Sequence, residues 1–62
     1  MFKIVETDNF GGDYPNEKEV NIPYLNEEDS LLIVTIINKY AGIKYWKVVD
    51  TNYILDKTKF EP

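Results

Sequence analysis

The sequence predicts an α+β fold: one small domain over residues 1–62, with a single helix packed on a mostly antiparallel sheet of three to four strands. The expected order is strand, long loop, helix, strand, strand. Three observations lead there. Residues 2–7 alternate in polarity and are rich in β-formers. Asn26-Glu27-Glu28-Asp29 opens a segment whose residues 31–37 are apolar but for Thr35. Residues 43–50 interleave aromatic, β-branched and lysine side chains.

Phe2-Lys3-Ile4-Val5-Glu6-Thr7 gives the first strand and ends at Asp8-Asn9. Residues 10–17, Phe10-Gly11-Gly12-Asp13-Tyr14-Pro15-Asn16-Glu17, are dense in turn formers, and the two adjacent glycines leave the backbone free to take positive φ. Residues 18–22 form a short second strand, stopped by Pro23 and its restriction on Ile22. The helix is expected over residues 27–41. Asn26 caps it, and three acids in the first turn suit the positive end of its dipole, Asp29 standing where a capping box places Glu. The β-branched run of residues 31–37 also suits a buried strand, so the flanks decide. Ser30, Thr35, Asn38 and Lys39 fall mostly on one side at helical spacing, Ile33, Ile36, Ile37 and Tyr40 on the other, and Gly42 stands at C′. Residues 43–50 are the clearest strand. Asp50-Thr51-Asn52 then turns the chain, and Tyr53-Ile54-Leu55 is expected to pair back as a hairpin. The tail from residue 56 is polar, with Phe60 expected to tuck onto the body.

Composition excludes more than it identifies. The 62 residues contain no Cys and no His, which removes thiol nucleophiles, disulfides, imidazole acid-base catalysis and the usual zinc ligands. There is no Arg to clamp phosphate or carboxylate in bidentate fashion. Ser30 is the only serine, and a body this small leaves little room for a pocket that holds two carboxylates apart, so no enzyme is expected. A net charge of -4 argues against a duplex nucleic-acid binder. Met1-Phe2-Lys3 opens directly into a strand-like stretch, and the longest apolar run, residues 31–34, is far too short for a bilayer. The expectation is a cytoplasmic protein without membrane contact. A chain of this length buries only about 60% of its unfolded surface, which makes a homodimer a further expectation.

Two segments carry candidate binding residues. In the first, Asn9, Phe10, Gly11, Gly12, Asp13 and Tyr14, the glycine pair can form a backbone nest for an anion beside an aromatic stacking face. Asp8, Asp13, Glu17 and Glu19 offer oxygen ligands nearby, but the calcium-loop spacing is absent, because Phe10 and Gly12 fall at ligand positions. No metal and no cofactor is expected. The second segment is Lys44, Tyr45, Trp46 and Lys47, where alternate side chains face the helix and an exposed sheet surface. The exposed set is either ordinary small-domain packing or a hot-spot patch for a partner. Glu27, Glu28 and Asp29 are acidic contact candidates.

Three stretches, residues 5–17 (Val5-Glu6-Thr7-Asp8-Asn9-Phe10-Gly11-Gly12-Asp13-Tyr14-Pro15-Asn16-Glu17), Tyr45-Trp46-Lys47-Val48-Val49 and Phe60-Glu61-Pro62, resemble short uncharacterised proteins of bacteriophages and prophages. The resemblance covers about half the chain. That group often has Arg before the aromatic pair and Gly before the final Phe-Glu-Pro; Lys44 and Lys59 stand there instead, so neither an anion clamp nor a glycine turn carries over. The resemblance implies a small accessory protein that counters host defences or redirects host enzymes by binding. The leading expectation is an anti-defence inhibitor of a host protein complex, with an acidic, aromatic-rich face. The alternatives are a dimeric sponge for a nucleotide signal and a structural or regulatory phage protein without a separable site.

Overall fold

The computed structural model describes residues 1–8, 14–42 and 44–58. Its elements run β1 (Phe2–Thr7), β2 (Lys18–Glu19), α1 (Glu27–Tyr40) and β3 (Tyr45–Asp50). They form a three-stranded antiparallel sheet in the order β2-β1-β3 with one helix against it, an α+β arrangement. β2 and β3 both oppose β1, so they are parallel to each other and α1 is the crossover between them.

β1 takes the centre because it has something to bury on both faces. Ile4 and Val5 point to opposite sides of the sheet, yet are 1% and 0% exposed. The register runs from Phe2↔Asp50 to Thr7↔Tyr45, which sets Lys47 beside Val5 and Trp46 beside Glu6. Loop and tail residues cover the Val5 face: Thr7 Oγ1 donates to the Pro15 carbonyl at 2.8 Å, and Lys47 meets Glu17 and Tyr53 there. The helix, which lies along β3 and β1, takes the Ile4 face. A bridge between Phe2 and Leu25, with amide bonds of 2.7 and 3.1 Å in the two directions, fixes where the chain leaves the sheet to start α1.

Asn26 caps the helix as expected: its side-chain oxygen accepts from the Asp29 amide at 2.8 Å, satisfying one of the donors that a helix start leaves orphaned. Asn26→Ala is expected to lower stability by about 1 kcal/mol, read as a shift of the urea midpoint followed by Trp46 fluorescence.

Four local expectations need correction. The second strand is shorter than residues 18–22. The Val20 amide still reaches the Ile4 carbonyl, but the Ile22 amide turns back onto Val20, at 2.9 Å each, so the ladder breaks ahead of Pro23 and β1 is met again only at the Leu25 bridge. Residues 53–55 do not pair back on β3. After a turn closed by the Tyr53 amide on the Asp50 carbonyl, the chain crosses the sheet to the β2 side, where the Asn16 and Glu17 amides donate to Thr58 and Asp56 at 2.8 Å each. The helix stops at Tyr40. Ala41 is already extended, at φ -71° and ψ 146°, and its amide closes the last turn on the Asn38 carbonyl. Gly42 has no left-handed φ, and a Cβ there would meet nothing, so glycine is not what ends the helix.

The fourth correction concerns which side of α1 faces in. Ser30 is 1% exposed and Asn38 is half-buried, both against the sheet with Val34, whereas Ile36 and Tyr40 face out. Six of the seven side chains from residue 31 to 37 are apolar and they point all round the helix, so polarity there gives little direction, and Asn38 has a bonding role that draws it inward. Its amide donates to the Trp46 carbonyl at 2.8 Å and its oxygen accepts from the Trp46 amide at 2.9 Å. Trp46 belongs to the outer edge of β3, so one helical side chain occupies a position where another strand would pair.

Candidate functional site

The loop-and-tail face of the sheet is organised by one carboxylate. Asn16 turns the chain with a positive φ of 45°, a conformation Asn tolerates well, and its side-chain amide donates to Asp8 Oδ2 at 2.8 Å. That turn delivers Glu17 inward, where it is 3% exposed. Glu17 Oε1 accepts from the Tyr53 hydroxyl at 2.7 Å and the Asp56 amide at 2.8 Å, while Oε2 is ion-paired with Lys47 Nζ. Lys47 also donates to the Tyr53 oxygen at 3.2 Å and lies 5.1 Å from the centre of its ring.

The protonation of the pair follows from these contacts. Burial alone pushes the Glu17 carboxyl up, but the hydrogen bonds from Lys47, the Asp56 amide and Tyr53 together outweigh it and hold the group below the ordinary carboxylate range. Lys47 is raised, chiefly by its hydrogen bond to Glu17. Lys44, at the other end of the two-lysine segment, is raised by the Glu6 carboxylate, with Nζ to Oε1 at 2.7 Å and Asp8 Oδ1 at 3.9 Å. Both lysines of the second candidate segment are therefore occupied by carboxylates of this chain.

The structure brings only some of the expected site residues together. Asn9, Phe10, Gly11, Gly12 and Asp13 lie outside the described residues. Tyr14, from the same loop, is exposed. Tyr45 and Trp46 are both half-buried, because the tail covers one face of β3 and the helix the other, so the sheet presents no open aromatic surface between them. Glu27, Glu28 and Asp29 stand together at the exposed start of α1, and among the described residues none of them joins a salt bridge.

Two features escaped sequence reasoning. One is the Glu17 cluster, whose only signal is that a lysine alternating with core residues on a strand needs a carboxylate to meet it. The other is an apolar stripe on α1, where Leu32, Ile36 and Tyr40, one turn apart, are 60%, 52% and 77% exposed. A shallow groove of about 720 Å³ runs between residues 16–19 and 54–57, with Ile54 and Leu55 on one wall and Lys18 and Glu19 on the other. Among the described residues no three carboxylates gather to hold a metal ion, and no helix is long and apolar enough to cross a membrane. The chain matches no protein-family model, no curated protein and no solved structure.

Proposed function

We propose that this chain is a small phage-type accessory protein that acts in the host cytoplasm, by binding rather than by turnover, as an anti-defence inhibitor of a host protein complex. The observation that carries the reading is the exposed acidic turn Glu27-Glu28-Asp29, unpaired among the described residues and followed two positions on by the exposed Leu31, which lies off the Leu32, Ile36 and Tyr40 stripe. Free carboxylates beside apolar side chains suit a basic protein surface: charge speeds and orients the encounter, and desolvated apolar contacts hold it. The nucleotide-sponge alternative rests on the Gly11-Gly12 nest, which lies outside the described residues, with Lys44 and Lys47 supplying charge to the phosphate, and those two charges are already matched by Glu6, Asp8 and Glu17.

The test is native mass spectrometry of the tagged protein drawn gently from a bacterial host lysate. A co-purifying host protein is the expected result. Charge reversal at Glu27, Glu28 and Asp29 together is expected to weaken its capture at least about tenfold. Unchanged capture removes the acidic turn from the contact. An added mass of nucleotide size with no protein partner overturns the inhibitor reading in favour of the sponge.

A further inference from the structure

We infer that the exposed stripe of α1 pairs with the same stripe of a second copy of this chain, the two helices antiparallel about a two-fold axis at the level of Val34. The inference goes beyond the inhibitor reading and does not rest on it.

A single copy has a small core. Among the described hydrophobic residues only Ile4, Val5 and Val34 are buried, while Leu32, Ile36 and Tyr40 stand more than half exposed on a helix that is already packed on its other side. Domains of this size compensate with disulfides, metals or association, and the chain has no cysteine. The stripe, with the half-buried Ile33 and Ile37 along its inner margin, offers an apolar area on the order of 400 Å². That lies in the range of the largest patch on a typical monomer and is about half of what each partner gives to a standard interface.

The charges of α1 select a copy of this chain over other occupants. α1 is acidic in its first turn and carries Lys39 in its last. At 100° per residue Glu28 and Lys39 fall on the same margin of the stripe, and an antiparallel pair brings like margins together. Pairing Leu32 with the partner's Ile36 then sets Lys39 against the partner's Glu28, and the relation repeats by symmetry, as an isologous interface requires. A parallel pair sets acid on acid. The antiparallel arrangement also opposes the two helix dipoles.

Sedimentation equilibrium of the purified chain, free of any host protein, tests this. A dimer mass at micromolar concentration is expected. Ile36→Glu is expected to yield a monomer with an unchanged far-ultraviolet circular dichroism spectrum. Lys39→Glu is expected to weaken the dimer about tenfold at low salt, and Glu28→Lys in the same chain is expected to restore it. These two surface changes do not touch the core, so they keep the inference testable if Ile36→Glu unfolds. A wild-type chain that stays monomeric at 100 μM concentration overturns it, as do a dimer indifferent to Ile36→Glu and a charge swap without rescue. A monomer whose capture of a host protein is abolished by Ile36→Glu overturns it too, and gives the stripe to that protein. Glu27→Lys, off the stripe, is expected to lower capture and leave the dimer intact, which separates this inference from the inhibitor reading.

Discussion

Glu17→Ala is expected to lower the stability of the domain by roughly 3 kcal/mol, out of the 3–9 kcal/mol or so that a chain of this length has to lose. The substitution strips three donors of their acceptor at once: Lys47 Nζ, the Tyr53 hydroxyl and the Asp56 amide. The figure lies at the low end for a broken buried pair because Lys47 is about a third exposed and water can still reach it. Glu17→Gln keeps an oxygen for Tyr53 and Asp56 but loses the charge facing Lys47, so an intermediate loss is expected. Urea unfolding followed by Trp46 fluorescence measures both.

The same pair sets the pH response. The Glu17 carboxyl is depressed in the folded state, so its contribution is present above its ordinary value of 4.5 and is lost as pH falls below 4.5 through the folded value. Lys47 is raised, so its contribution is present below 10.5 and is lost as pH climbs through its folded value above that. The wild type is therefore expected to lose stability at both extremes, while Glu17→Gln flattens the acid limb. An acid limb unchanged in the variant would show that another carboxylate governs it.

Asn38→Ala carries the next largest expected effect, about 1–3 kcal/mol. It leaves both the amide and the carbonyl of Trp46 unmatched in a half-buried place. Stability and local protection should fall together: a lower urea midpoint, and faster hydrogen exchange at the Trp46 amide than at amides of β1. Asn38→Asp separates the two bonds, since a carboxylate still accepts from the Trp46 amide but repels its carbonyl. Exchange at Trp46 that stays slow in Asn38→Ala would show that the edge is covered by something other than this side chain.

What the sequence makes legible is local. The alternation of Phe2–Thr7 and of the Tyr45 to Asp50 stretch, and the Asn26 cap with its acids, need only a few neighbouring residues to be read, and each has its counterpart in the structure. The Glu17 cluster needs the opposite. Its partners Tyr53 and Asp56 are 36 and 39 positions away, and within its own segment Glu17 reads as one more loop acid. The fourth strand failed for a related reason. Tyr53-Ile54-Leu55 looks like strand, but Ile54 is 88% exposed, because the tail is held by bonds to Asn16 and Glu17 rather than by a hairpin register. For α1, polarity misassigned the inner face because Asn38 is recruited by a backbone edge and Ser30 is small enough to let the helix approach.

The central position of β1 has a consequence for how the protein is made. Its sheet register ties Val5 to Lys47, so the middle strand is synthesised well before the partner that covers its longer edge. At 5–20 residues per second, roughly, translation leaves that strand waiting for seconds, a span long beside the microseconds in which a hairpin closes. Until β3 emerges the sheet consists of β1 and the two-residue β2 alone, and α1, arriving before β3, lacks the strand it packs against most. Folding of this domain therefore belongs to the end of its synthesis, and a stall placed before residue 45 should yield a chain that proteases cut freely.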